Sequence, residues 1–140
     1  MLVELAVASA MVLFTVSIHA LGLAALQRVT HRLLGVGRGG GWRLHAPAVV
    51  LVVLGLFTLH GLEIWSYAVL YHGLNAAPDL RTAVYFSTIT YGAIGYSDAA
   101  IDAQWRLTAA IEGINGVLLI GWTTAFFVTT MAHLQRRAAR

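Results

Sequence analysis

The sequence predicts an all-α membrane protein with three spanning helices and a re-entrant helix and loop between the second and third. Three observations predict it. The chain has 140 residues, 59% hydrophobic and only 11% charged, where a soluble domain carries about 25% charged residues. Long apolar runs occupy roughly 2–27, 45–71 and 105–133, each sufficient for the ~20 residues that cross a bilayer. Between the last two runs lies Tyr85-Phe-Ser-Thr-Ile-Thr-Tyr-Gly-Ala-Ile-Gly-Tyr-Ser-Asp98, too short and too Gly-punctuated to be a fourth span. Non-helical backbone survives at membrane depth only where it lines a cavity or is buried in protein.

Composition also excludes function classes. There is no cysteine, so disulfides and thiolate metal sites are ruled out. The pI of about 9.8 invites a nucleic-acid reading. The basic residues are all arginine, however, and seven of the nine lie in two groups: Arg28, Arg32, Arg38 and Arg43, then Arg136, Arg137 and Arg140. Arginines flanking apolar spans follow the positive-inside rule, so no nucleic-acid partner is expected. No nucleophile–base pair or nucleotide loop is present, and the chain does not read as an enzyme.

The elements follow in order. Residues 1–27 form a first span whose sole charge is Glu4. A cleaved signal peptide would carry a positive n-region, so the reading is a retained helix with its N-terminus outside. Residues 28–44 form a cytoplasmic Gly/Arg-rich loop. Its Gly35-Val-Gly-Arg-Gly-Gly-Gly41 formally matches GxGxxG, but that fingerprint needs a strand before it and a helix after it. Residues 45–134 form one module. A span begins near His45 with Pro47 in its first turn, Pro78-Asp79 starts a short helix over Thr82–Thr90, and the last span returns to the cytoplasm. Residues 135–140 are a basic cytoplasmic tail. Trp105 and Trp42 read as interfacial anchors, Trp65 and Trp122 as packing residues.

Gly95-Tyr96-Ser97-Asp98 closely resembles the end of the potassium-channel selectivity filter, Thr-Val-Gly-Tyr-Gly-Asp. Such a filter replaces the ion's water shell with backbone carbonyls from four loops. Aligned on Gly95-Tyr96, the resemblance makes Ala93, Ile94, Gly95, Tyr96 and Ser97 the filter, with K⁺ held by the carbonyls of Ala93, Ile94, Gly95 and Tyr96. Successive carbonyls face one axis when the backbone alternates in handedness, and glycine is the cheap residue at positive φ. Ala93 lacks the hydroxyl the family supplies to its innermost ion site. Ser97 replaces the second glycine, where a positive φ would cost roughly 1–2 kcal/mol.

The same resemblance assigns neighbouring roles. Tyr85 and Phe86 take the place of the pore-helix aromatic pair, followed by Ser87, and Thr90 that of the pore-helix threonine. Asp98 would form an outer-mouth ring that concentrates cations. Gly116 and Gly121 fall where the inner helix carries its hinge and a second small residue, and Val117, Ile120, Thr124 and Val128 would line the cavity and gate. The match spans about 63–134 and is most similar to the small bacterial two-pore-domain-type group of ion channel 2 proteins, with an extra helix before the pore module. It implies a homotetrameric monovalent-cation channel in the bacterial inner membrane, N-terminus outside and C-terminus cytoplasmic. Beyond the permeant ion and the lipid bilayer, it implies no cofactor and no partner except further copies of the chain.

Within the spans lie His19, His60, Glu63, Glu112 and Asn115, and polar groups there are costly and usually functional or paired. His60 and Glu63 share a helix face at i, i+3. Counting ~1.5 Å per residue from the helix ends places Glu63 and Glu112 at similar depth, level with the pore helix. Three roles are open for this group: hydrogen-bonded support of the re-entrant segment, a protonation switch on the filter, or a His/Glu metal site. Asn115 either faces the cavity or binds a neighbouring helix. Two other functions compete. A haem-binding redox subunit would use His19 and His60 as axial ligands, but the same counting separates them by ~10 Å. A non-conducting accessory protein would carry Ala93 and Ser97 as marks of a degenerate filter.

Overall fold

A computed structural model describes residues 1–36, 46–95 and 97–138. Among the described residues four α-helices make up the fold: α1 (Leu2–Val36), α2 (Ala46–Gly73), α3 (Leu80–Tyr91) and α4 (Arg106–Ala138). Among the described residues, three stretches are long and apolar enough to cross a membrane, Leu2–Arg32, Ala46–Gly73 and Ala103–His133. Helix α1 continues through Arg28 and Arg32, both exposed, to Val36, so the predicted loop over 28–44 begins later than expected. Nothing between Gln27 and Leu34 interrupts a helix, since the first glycine there is Gly35. The glycine run over 37–41, Trp42 and the rest of that loop lie outside the described residues, as do Tyr96 and the two C-terminal residues.

Helix α1 packs against both α2 and α4, and α3 lies between α2 and α4. The α1–α2 crossing is built on glycine and leucine. A Cβ on Gly22 would run into the Leu59 side chain, and one on Gly55 into that of Leu26. Each leucine therefore fills the notch its partner's glycine leaves. Close approach over small residues drives helix association in lipid, where burial of apolar surface gains little. Leu23, Val52, Leu56 and Leu59 complete that core.

The connection to α3 is set by helix-end chemistry. Helix α2 ends in a Schellman motif: Ala76 N–H donates to Tyr71 O at 2.8 Å and Asn75 N–H to His72 O at 3.1 Å, with Asn75 left-handed at φ 54. Asp79 then caps α3, its carboxylate accepting from Thr82 N–H and from the Thr82 hydroxyl. Those two bonds hold the Asp79 carboxyl below the usual carboxylate range, so the cap stands at neutral pH and weakens only as pH falls through that lowered value. A second packing cluster, including Tyr67, Tyr71, Phe86, Ile101 and Trp105, seals this end. Trp105 is thus 7% exposed, a core residue and not an interfacial anchor, because the 3-10 turn Ala103–Trp105 folds it beneath the α2–α3 connection. Conversely Trp65 is half exposed in the single chain, because it points away from the three helices that α2 touches.

Helix α3 ends in a second Schellman motif. Ile94 N–H donates to Ile89 O at 2.9 Å and Ala93 N–H to Thr90 O at 3.1 Å. The left-handed position is Ala93, at φ 52, where glycine is usual and Cβ costs about 1–2 kcal/mol. Asn75, at the matching point of α2, is a residue that tolerates this conformation. Ala93→Gly should therefore raise the unfolding free energy by about 1 kcal/mol, seen as a higher midpoint in thermal unfolding of the detergent-solubilised protein. An unchanged or lower midpoint would contradict strain at this cap.

Candidate functional site

The site is organised around two buried carboxylates. Glu63 on α2 and Glu112 on α4 are fully buried. Glu112 accepts from the Tyr71 hydroxyl at 2.7 Å and from the Ser87 hydroxyl of α3. Glu63 accepts from the Tyr91 hydroxyl at the end of α3, faces His19 Nδ1 at 2.8 Å and faces His60 Nδ1 at 3.2 Å. Helix α3 is thus held at both ends of its second half, by Glu112 at Ser87 and by Glu63 at Tyr91. Ser87 also lies 2.9 Å from Ile64 O.

These contacts correct two depth assignments. Glu112 pairs with Tyr71, whose backbone stands eight residues, or ~12 Å, along α2 from that of Glu63. Glu63 and Glu112 are not level. His19 and His60, placed ~10 Å apart by counting from the helix ends, have ring centroids 5.5 Å apart. The reason is common to both. The outer ends are staggered: Thr108 of α4 meets Glu4 of α1, whereas Tyr71, two residues from the end of α2, already meets Glu112. With Thr123 Oγ1 lying 3.3 Å from His19 Nε2 and 2.9 Å from His60 Nε2, the two rings leave no slot for a porphyrin between them.

A third polar node joins the remaining helices. Asn115 Nδ2 donates to Thr15 Oγ1 on α1 at 2.8 Å and to the Tyr67 hydroxyl on α2 at 3.2 Å. Of the two roles open to Asn115, the structure gives it helix packing.

The loop that follows α3 differs from the expected alternation. Among the described residues of 93–97, the positive φ belongs to Ala93. Gly95 is not left-handed, and Ser97 is extended at φ −127, so the strain anticipated at Ser97 is not there. The capping bonds of α3 take up the first turn of the loop and move the left-handed residue forward to Ala93. Ala93, Ile94, Gly95 and Ser97 are exposed in the single chain. Tyr96 and the Asp98 side chain lie outside the described residues.

Other anticipated positions fall on two sides of α4. Val117, Ile120, Gly121, Thr124 and Val128 are exposed together. Gly116 is buried: a Cβ there would overlap the Tyr91 carbonyl, whereas one on Gly121 would meet nothing within 4 Å. Helix α4 runs unbroken through both, and Gly116 is the seat on which the end of α3 rests. On α3, Tyr85 is exposed, Phe86 is buried against Tyr71, and Thr90 is buried with a hydroxyl that lacks a hydrogen-bond partner. A cavity of about 550 Å³ opens beside the loop, lined by Thr90, Ala93 and Gly95 on one wall and Gly113, Ile114 and Val117 on the other.

Sequence reasoning left Tyr71, Tyr91, Thr15 and Thr123 out of the site, and gave Ser87 a place in the pore-helix pattern without its carboxylate partner. Helical spacing was the available signal: Glu63, Tyr67 and Tyr71 fall at i, i+4, i+8, one stripe of α2.

The sequence model described as "Ion channel" matches residues 48–133. No curated protein and no solved structure matches the chain.

Two predictions test this arrangement. Gly116→Ala should destabilise the protein by about 1–3 kcal/mol through overpacking, while Gly121→Ala should leave thermal stability unchanged; equal effects would contradict the seat at Tyr91. In a double-mutant cycle, Ser87→Ala and Glu112→Gln should couple by about 0.5–3 kcal/mol, and additive losses would mean that Glu112 does not hold α3.

Proposed function

The chain belongs to the ion channel family, and from that membership we propose that four copies form a pore for monovalent cations, potassium foremost, around residues 93–97. One loop per chain requires four chains to close a ring of carbonyls. The observation that carries this reading is the pinning of α3. Two buried carboxylates fix a helix too short to span, so that its loop begins partway along helices of bilayer length. There the loop shares a cavity wall with the exposed face of α4.

Physical chemistry favours a cation. The C-terminal end of a helix carries partial negative charge, and α3 directs that end toward the loop. Asp98 at the outer mouth would add a ring of carboxylates. Val117, Ile120, Thr124 and Val128, exposed in the single chain, line the inner cavity in this assembly. The arginines of the α1 end and of the tail favour the cytoplasmic side of the cell membrane for both, with the N-terminus outside. Membership in a channel family favours transport over catalysis, and the permeant ion is the sole ligand the reading needs.

The loop backbone favours a second reading. A left-handed Ala93 and an extended Ser97 differ from the alternation a carbonyl ring uses, as a non-conducting accessory protein would permit. Flux from purified protein in liposomes separates the two, and potassium flux exceeding sodium flux supports the pore. Gly95→Val is the matched variant, because a side chain there would meet nothing in its own chain but four would crowd an axis. Flux should vanish while the oligomer elutes unchanged. Wild-type flux in Gly95→Val would remove the filter from this place.

A further inference from the structure

The cluster where α1, α2 and the end of α3 meet has a donor set that hydrogen-bonded support alone does not call for. His19, His60 and Glu63 each offer one ligand atom, and these atoms lie within 4.8 Å of one another. Two imidazole nitrogens and a carboxylate are the ligands of borderline divalent transition metals. We propose that His19 Nδ1, His60 Nδ1 and the Glu63 carboxylate bind a divalent transition-metal cation such as Zn²⁺, with the Tyr91 hydroxyl oxygen as fourth ligand.

Hydrogen accounting supports this. Both Nδ1 atoms face oxygens of the one carboxylate, His19 at 2.8 Å and His60 at 3.2 Å, and His60 Nδ1 also lies 3.0 Å from the Tyr91 hydroxyl. Both Nε2 atoms face one hydroxyl, Thr123 Oγ1. A hydroxyl has one hydrogen, so it can serve only one of two bare Nε2 atoms. It has two lone pairs, so it can accept from two Nε2–H groups. A metal on both Nδ1 atoms puts a hydrogen on both Nε2 atoms, and Thr123 then orients both ligands, as the outer partner of a metal-bound histidine does.

Size and access agree. Ligand atoms ~2.0–2.2 Å from a tetrahedral ion stand roughly 3.3–3.6 Å apart, within the observed spread. Ca²⁺ and Mg²⁺ are disfavoured because they demand six or more oxygens. His19 and Glu63 are wholly buried, but His60 is 18% exposed. A cavity of about 280 Å³ lined by His60, Thr123 and apolar side chains of α2 and α4 reaches it. A metal there would tie α1 and α2 to the last residue of α3, bracing the end of the pore helix. The proposal stands on the cluster itself, so a protein without flux would bind metal equally well.

The test is Zn²⁺ binding by the purified protein, stripped with chelator, loaded, desalted and assayed by elemental analysis and thermal unfolding. One zinc per chain and a raised melting midpoint are expected, with Mg²⁺ not retained. His19→Asn and Glu63→Gln should lose the zinc, while His72→Asn, whose side chain is exposed, should keep it. Should either site variant fail to assemble, Thr123→Ala removes only the outer partner and should weaken zinc binding about 10–100-fold. No retained zinc in the wild type, equal retention by His19→Asn, equal Mg²⁺ binding, or wild-type affinity in Thr123→Ala would each overturn the site.

Discussion

A carboxylate enclosed by apolar helices must be met by donors, and meeting Glu63 and Glu112 dictates where everything else in this chain sits. Leaving one unsatisfied would cost several kcal/mol, more than a marginally stable bundle can lose. Each is placed so that the short helix α3 supplies a hydroxyl, Ser87 for Glu112 and Tyr91 for Glu63. Moving α3 by a turn would strand both. The same pair therefore fixes where the following loop begins, with Gly116 giving the Tyr91 carbonyl a place to rest.

Helix α1 is tied into this network and is more than an anchor. Thr15 receives Asn115, and His19 stands beside Glu63 with Trp122 of α4 against its ring. A change that separates α1 from the bundle would expose the partner of the carboxylate that holds Tyr91. Sequence outside the matched region 48–133 thereby acts on the geometry of the loop inside it.

Much of the architecture was legible because it rests on local signals. Apolar length located the spans, and Pro78-Asp79 the start of α3. Helix α1 runs past Gln27 to Val36 because arginine, which flanks a span by charge, also extends a helix readily. The site was less legible. Counting from a helix's own end gives depth only where the ends are level, and the staggered outer ends bring His19 and His60 to ring centroids 5.5 Å apart. The backbone of 93–97 was inferred from a motif, whereas the Schellman bonds of α3 decide it locally. Tyr71, Tyr91 and Thr123 escaped notice because a lone tyrosine or threonine in an apolar run reads as packing until its partner on another helix is known.

The central claim is that the pinned α3 delivers its loop to a shared axis. An experimental structure of the assembled protein in a lipid nanodisc tests it most directly. The account predicts four chains with Gly95 carbonyls converging on one axis, while Ser87 and Tyr91 remain bonded to Glu112 and Glu63. A loop standing at the lipid-facing periphery, or an α3 detached from both carboxylates around an intact pore, would contradict it.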